Sequence, residues 1–343
     1  MRRAGTLTDV SREAVALCRA ADVIDLHVDS FIWTRIFGYR LTERHGRGLF
    51  DGRFYSQVDL PRLGEAGVTG AVWAITTNPF RRAAARAAAF VANLARLRGI
   101  LGGAPDVAVV RTAAEYRAAR AAGRHAAFLG IQGGNALDRD GAALDALADG
   151  AVVKVTVVHL TTSSLGTPSG PGGRRPAGLS AAGREFVHGL DHHRVFVDLA
   201  HADRQTFFDA VAVHDRSRPL LVSHTGVAAV HRHWRNVDDE QLRAVADTGG
   251  VVGVMYHRGF LGPGRDSAAG VVDHLEHVAR VAGDDTPALG SDWDGLIVPP
   301  SDMRTCLELP RLVQRMLERR WSEERIRKTL GGNFLRALAA LRG

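Results

Sequence analysis

Apolar runs recur along the chain, separated by helix-length segments. The first, Val23 to Ser30, alternates Ile24, Leu26 and Val28 with Asp25, His27 and Asp29. Strand side chains repeat every two residues, so these three polar groups are expected on one face. Seven more runs read as strands: Gly70 to Thr77, Ala126 to Gly134, Val152 to Leu160, Arg194 to His201, Pro219 to His224, Gly249 to Tyr256 and Pro287 to Asp292. Helical spacing fills Arg81 to Leu101, Arg204 to Val213, Asp238 to Asp247 and Val271 to Val281. A short helix over residues 9–21, with Val10, Ala14, Leu17 and Cys18 on one stripe, precedes the first strand. Trp321 to Arg342 predicts a closing helix, with Ser322 as N-cap and Ile326, Leu330, Phe334, Leu335 and Leu338 facing inward.

Near-continuously apolar strands alternating with helices require a parallel sheet covered by helices. The predicted fold class is therefore α/β, and eight such repeats favour a closed (β/α)8 TIM-type barrel over an open doubly wound sheet. No glycine-rich dinucleotide fingerprint follows the first strand, which weighs further against the open sheet. Residues 1–343 are expected to form a single barrel domain. Two irregular connections, Phe31 to Gln57 and Thr161 to Ala177, are expected to shape access to whatever the barrel binds.

Composition narrows the function classes. The net charge of +7 comes almost wholly from arginine, since Lys154 and Lys328 are the only lysines. No Lys/Arg run is interleaved with aromatics, so the basic surface reads as solvated and no nucleic-acid partner is expected. Cys18 and Cys306 cannot form a disulfide framework. Met1 to Gly5 leads into Asp9, Arg12 and Glu13 without a signal-type apolar core, and no membrane-length apolar stretch follows. The expectation is a soluble, cytoplasmic protein with no membrane partner.

Six of the predicted strands finish on a residue able to bind metal or move a proton: Asp29, Gln132, His159, His201, His224 and Asp292. In a parallel barrel those ends share one rim, where such enzymes place their sites. A mixed nitrogen and oxygen donor set suits zinc or a similar ion. Lys154 lies five residues before His159, an odd spacing expected to turn it to the opposite face as a rim or surface residue. His192-His193, His231 and His233 read as loop or helix-surface residues, and no Gly-x-Ser-x-Gly elbow accompanies Ser163-Ser164.

These stretches resemble the membrane (renal) dipeptidase family of zinc peptidases, a branch of the amidohydrolase superfamily. The similarity runs through Asp25-Leu26-His27-Val28-Asp29, Gln57 to Leu63, Gly130-Ile131-Gln132-Gly133-Gly134-Asn135, Gly178 to Glu185 and Val197-Asp198-Leu199-Ala200-His201. It continues through Ser223-His224-Thr225, His233-Trp234-Arg235-Asn236, Ser291-Asp292-Trp293-Asp294-Gly295 and Gly331-Gly332-Asn333-Phe334, in family order. The resemblance implies a metallo-dipeptidase acting on a small dipeptide-like substrate, including dipeptides with a D-residue at the C-terminal side. It implies one or two zinc ions, His27 and Asp29 on the first, His201 and His224 on the second. By the same resemblance His159 steadies the substrate's oxyanion, Arg235 takes its terminal carboxylate and Asp292 handles protons. Related enzymes are often dimers, so a homodimer is implied as well.

One position departs from the family. Its third strand carries a glutamate bridging both metals, whereas this chain has Gln132. Two dications roughly 3.5 Å apart repel by something on the order of 20 kcal/mol at an effective dielectric near 20, which bridging anions must offset. A neutral amide predicts weaker occupancy of at least one metal site. Two outcomes stay open: dipeptidase activity retained at reduced rate, or a diverged member that acts on another small substrate in a biosynthetic pathway or binds without hydrolysis.

Overall fold

The computed structural model describes residues 9–48, 51–138, 147, 149–170 and 178–343. The start of the chain, Met1 to Gly5, and the stretch 171–177 of the predicted access loop lie outside the described residues. Among the described residues nine parallel strands form one sheet: β1 (Ile24–Val28), β2 (Gly70–Thr76), β3 (Val107–Val109), β4 (His125–Gln132), β5 (Val152–Thr156), β6 (Phe196–Asp198), β7 (Leu221–Thr225), β8 (Val251–Val254) and β9 (Pro287–Leu289). Pairing of β2 with β4 and of β1 with both β2 and β9 closes eight of them into a ring; β3 pairs only with β4 and stands outside it. The result is a (β/α)8 TIM-type barrel. All eight predicted strands are in the ring, while β3 is too short to leave an apolar pattern.

The strands are shorter than their apolar runs. Gln132 and His224 lie within strands, but Asp29, His159, His201 and Asp292 follow the strand ends, in the turns that leave the barrel. His201 and Asp292 adopt positive φ of 67° and 62°, conformations that turn their side chains away from the strand period. Strand β1 is itself irregular, with a register shift between Asp25 and Val28. The Asp25 carboxylate accepts from the backbone N–H groups of His27 (3.0 Å) and Ser291 (3.1 Å).

At the opposite end of the barrel the closing helix seals the floor. Ser322 caps it by accepting from the Arg325 N–H, and the helix continues through a π turn at Lys328–Gly332 into Asn333–Arg342. Phe334 stands edge-on to Phe128 at 5.4 Å and tilted against Phe196 at 5.8 Å, joining Leu26, Val72, Val153 and Leu221 in an apolar plug. Each aromatic buried there contributes roughly 1.5–3 kcal/mol. Part of the Phe31 to Gln57 connection is helical, over Phe31–Phe37, ended by Gly38 in the left-handed conformation. Among the described residues no helix is long and apolar enough to cross a membrane.

Candidate metal centre

Four imidazoles, a neutral amide and two carboxylates meet in the mouth. His27, His224 and Asp292 bring one donor atom each within 4.8 Å of one another, a fully buried group that could hold a metal ion. His27 Nε2 lies 3.4 Å from Asp29 Oδ2 and 3.8 Å from Asp292 Oδ1, and it makes no hydrogen bond among the described residues. A buried orphan nitrogen aimed at two carboxylates fits a cation between them. The His27 and His224 rings are 3.9 Å apart, His224 Nε2 is 2.9 Å from His201 Nε2, and the His201 ring meets His159 edge-on at 4.6 Å.

Gln132 sits among them. Its amide nitrogen is 3.3 Å from both His201 Nε2 and His224 Nε2, while Thr76 Oγ1 lies 3.1 Å from its oxygen and donates to Asp29 Oδ1 at 2.6 Å. Arg235 is buried beside this group, one guanidinium nitrogen donating to the His224 carbonyl (2.7 Å) and Nε unpaired among the described residues. The structure thus gathers His27, Asp29, Gln132, His159, His201, His224, Arg235 and Asp292 at one rim.

Lys154 differs from expectation. It is fully buried inside the barrel, not on the rim or surface. Its Nζ lies 2.7 Å from His27 Nδ1, 2.9 Å from Asp198 Oδ2, 2.9 Å from Ser223 Oγ and 3.4 Å from Thr156 Oγ1. Counting by twos from His159 fails because β5 ends at Thr156. Room inside comes from Gly130, paired with Lys154 on β4: a Cβ there would lie 3.0 Å from two of the lysine's carbons and 2.9 Å from Val72. The sequence carries a signal, since a lysine in an arginine-rich chain interrupts an otherwise apolar run.

Other supports were not legible in advance. Asp198 accepts from Lys154, Thr156 and Ser223, and Ser223 Oγ lies 2.8 Å from His224 Nδ1, so a buried polar network backs two of the imidazoles. Asp294 accepts from the Gln57 N–H (2.9 Å) and from Ser30, while its own N–H donates to the Gln57 side chain (2.7 Å). That lock ties the turn after β9 to the connection after β1. Gly295 leaves space for the Asp292 carboxylate, because a Cβ there would crowd Asp292 Oδ1.

Burial governs the protonation states. It lowers His159 to about 3 and carries His201 and His224 well below the ordinary imidazole value, so all three are neutral donors or ligands. Burial, then repulsion from Asp29, raises Asp292 well above the carboxylate range. Burial also pushes Asp29 upward, but the His27 ring and the Thr76 hydroxyl outweigh it and leave it low. The two carboxylates are thus driven in opposite directions, Asp29 toward the anionic form and Asp292 toward the protonated one.

The family model for membrane dipeptidases, peptidase family M19, matches residues 11–342. The chain belongs to the membrane dipeptidase family. It is similar to the crystal structure of a dipeptidase described as a metallo peptidase of that family, 28% identical over 93% of this chain and 98% of the other, with a TM-score of 0.81. A metallo peptidase from Rhodobacter sphaeroides, bound to a phosphinate mimic of the dipeptide L-Ala-D-Ala, is 25% identical over 93% and 98% of the two chains, TM-score 0.81. A probable dipeptidase from Pseudomonas aeruginosa shares the fold at TM-score 0.86 with 18% identity over 96% and 98%. As a member of the membrane dipeptidase family, the chain is a metal-dependent, dipeptidase-like hydrolase by type.

Proposed function

We propose that the protein hydrolyses the amide bond of a dipeptide, including dipeptides with a D-residue on the C-terminal side, using zinc. The observation that carries this reading is convergence: His27, His224 and Asp292, contributed by β1, β7 and the turn after β9, meet within 4.8 Å. In this reading His27 with Asp29, and His201 with His224, are the ligand pairs. When bound, zinc supplies Lewis acidity toward water and toward the substrate carbonyl.

The chain's own groups do the rest. His159 is neutral and its Nδ1 has no hydrogen-bond partner among the described residues, so its ring can donate one N–H to the oxyanion as charge develops there. Arg235, held by the His224 carbonyl, keeps Nε free for the substrate's carboxylate, which a guanidinium grips more strongly than a neutral donor would. Asp292, with its raised proton affinity, takes a proton from water and returns it to the leaving amine. The relative bound to a mimic of L-Ala-D-Ala supports a substrate of this class.

A second reading has its own support in Gln132, whose amide nitrogen faces the two imidazoles. In that reading the protein is a diverged member with altered metal content that acts on another small substrate or binds one without hydrolysis. The deciding experiment is dipeptide hydrolysis before chelation, after chelation and after return of zinc. Activity lost and then restored supports the first reading; no hydrolysis at any zinc level, together with a large gain in Gln132→Glu, supports the second.

A further inference from the structure

We propose that the pocket beside Arg235 selects a dicarboxylic amino acid at the C-terminal side of the substrate, with Arg232 holding the side-chain carboxylate. The inference deepens the dipeptide reading and rests on it.

The loop that carries these residues is closed on itself. Val237 pairs with Val227 in a parallel bridge: its N–H donates to the Gly226 carbonyl (3.1 Å), and its own carbonyl accepts from the Ala228 N–H (2.8 Å). Both ends are thereby fixed at the exit of β7, as in a compact surface loop. Inside it the Asn236 amide donates to the carbonyls of His231 (2.8 Å) and Phe260 (2.9 Å), and the Arg235 N–H donates to His233 Nδ1 (3.1 Å). Trp234 is half exposed, yet its ring is wedged. His233 lies tilted against it at 4.8 Å, Phe260 meets it at 6.0 Å, and a Cβ on Gly170 would come within 2.6 Å of it.

A cavity of about 530 Å³ opens against this loop. Trp234, Ala202, Ala228 and Val237 wall it, and it reaches His201 and Arg235, the side on which the substrate's terminal carboxylate is assigned. A methyl side chain fills little of that space. Three guanidiniums line the cavity, those of Arg204, Arg232 and Arg235, against the one carboxylate of Asp238 among the described residues. Asp238 is already engaged: it accepts from Arg204 (2.9 Å) and from the Gln241 N–H (2.9 Å), and Glu240 also pairs with Arg204. Arg235 donates to the His224 carbonyl and is assigned the terminal carboxylate. Arg232 is exposed and has no ion pair among the described residues. A second carboxylate on the C-terminal residue supplies that partner, with its methylenes along the indole face. A guanidinium favours a carboxylate over the neutral amide of the same shape. Because Arg232 is open to water the pair is screened, so the preference is modest.

The test compares side chains of one shape and different charge, by binding instead of turnover. Zinc-loaded protein is titrated calorimetrically with phosphinate analogues of L-Ala-D-Glu and L-Ala-D-Gln, which cannot be cleaved. The Glu analogue is expected to bind about 5- to 10-fold more tightly at low ionic strength, with the ratio falling toward one in about 0.5 M salt. Arg232→Gln is expected to bring the ratio close to one, and Arg232→Lys to keep most of it. Equal affinities in wild type, binding of neither analogue, or a ratio that survives Arg232→Gln overturns the proposal. So does an Arg232→Gln variant that weakens both analogues alike, which would assign the residue to holding the loop. The preference found without cleavage of any dipeptide would sink the hydrolase reading and leave the pocket standing; cleavage of L-Ala-D-Glu and L-Ala-D-Gln at equal kcat/KM, with equal affinities for the analogues, would do the reverse.

Discussion

On the β1 and β9 side of the mouth, His27 Nε2 faces two carboxylates and has no hydrogen-bond partner among the described residues; on the β4, β6 and β7 side, His201 and His224 face the neutral amide of Gln132. The first half is anionic and open to a cation. The second is neutral and already hydrogen-bonded. Both halves use the same imidazole chemistry, so what separates their capacity for metal is the charge of the neighbours. His224 belongs to both halves: its ring lies tilted against that of His27 on one side, and its Nε2 approaches His201 on the other.

Removing that shared imidazole is the harshest test. His224→Ala is expected to abolish retained metal and lower kcat/KM for dipeptide hydrolysis at least about 1,000-fold, since the Lewis acid is worth several kcal/mol. Metal counting with dipeptide kinetics checks it; retained zinc with near-normal turnover would show that the halves do not share a ligand. Asp292→Asn acts on the anionic half alone and is expected to lower kcat by about 100- to 10,000-fold, the usual range for a lost acid–base group.

The lock behind the anionic half gives a pH signature. Burial, partly offset by Ser30 and the Gln57 N–H, raises Asp294 to about 6. The folded state then binds more protons than the unfolded state between roughly pH 4 and 6, so this residue makes stability fall as pH rises through that window. A shift of about two units corresponds to up to about 3 kcal/mol. Asp294→Asn can keep both hydrogen bonds, with its amide nitrogen donating to Ser30, and is expected to flatten the fall. Urea denaturation of chelator-treated protein at pH 4 and pH 7 reads it; an unchanged slope in the variant would place the proton elsewhere.

The same contrast explains what the sequence disclosed. The eight barrel strands were legible because buried parallel strands are apolar throughout, and the rim residues because they end those runs. Lys154 was misplaced because the two-residue period holds only while the strand lasts, and β5 stops three residues short of His159. Asp294 and Gln57 form a partnership across 237 positions that no local pattern encodes. Asp25 shares the alternation of His27 and Asp29, yet its carboxylate accepts from the backbone N–H groups of His27 and Ser291.

Substrate recognition spans the two halves through Arg235, fixed to the His224 carbonyl while it faces the mouth. Arg235→Met is expected to raise KM for a free dipeptide about 10- to 100-fold, the worth of one hydrogen bond to a charged group. A C-terminal amide of the same dipeptide should bind wild type and variant nearly alike. Equal losses for both substrates would assign Arg235 to holding His224 instead.

The smallest effect tests why the anionic half has a lysine behind it. Gly130 is the only residue type that leaves space for Lys154 to cross the interior: a methyl group there would lie 2.9 Å from Val72 Cγ1 and 3.0 Å from Lys154 Cε and Cγ. Lys154 can yield only by leaving Asp198 or His27, and burial otherwise works against the Asp198 charge that this lysine holds down to about 2. Overpacking of this kind costs about 1–3 kcal/mol. Gly130→Ala is therefore expected to lose that much stability by urea denaturation at pH 7, and Lys154→Met in the same chain to recover part of it. If Gly130→Ala instead costs nothing measurable, the lysine has other room, and the charge behind His27 is not fixed in place.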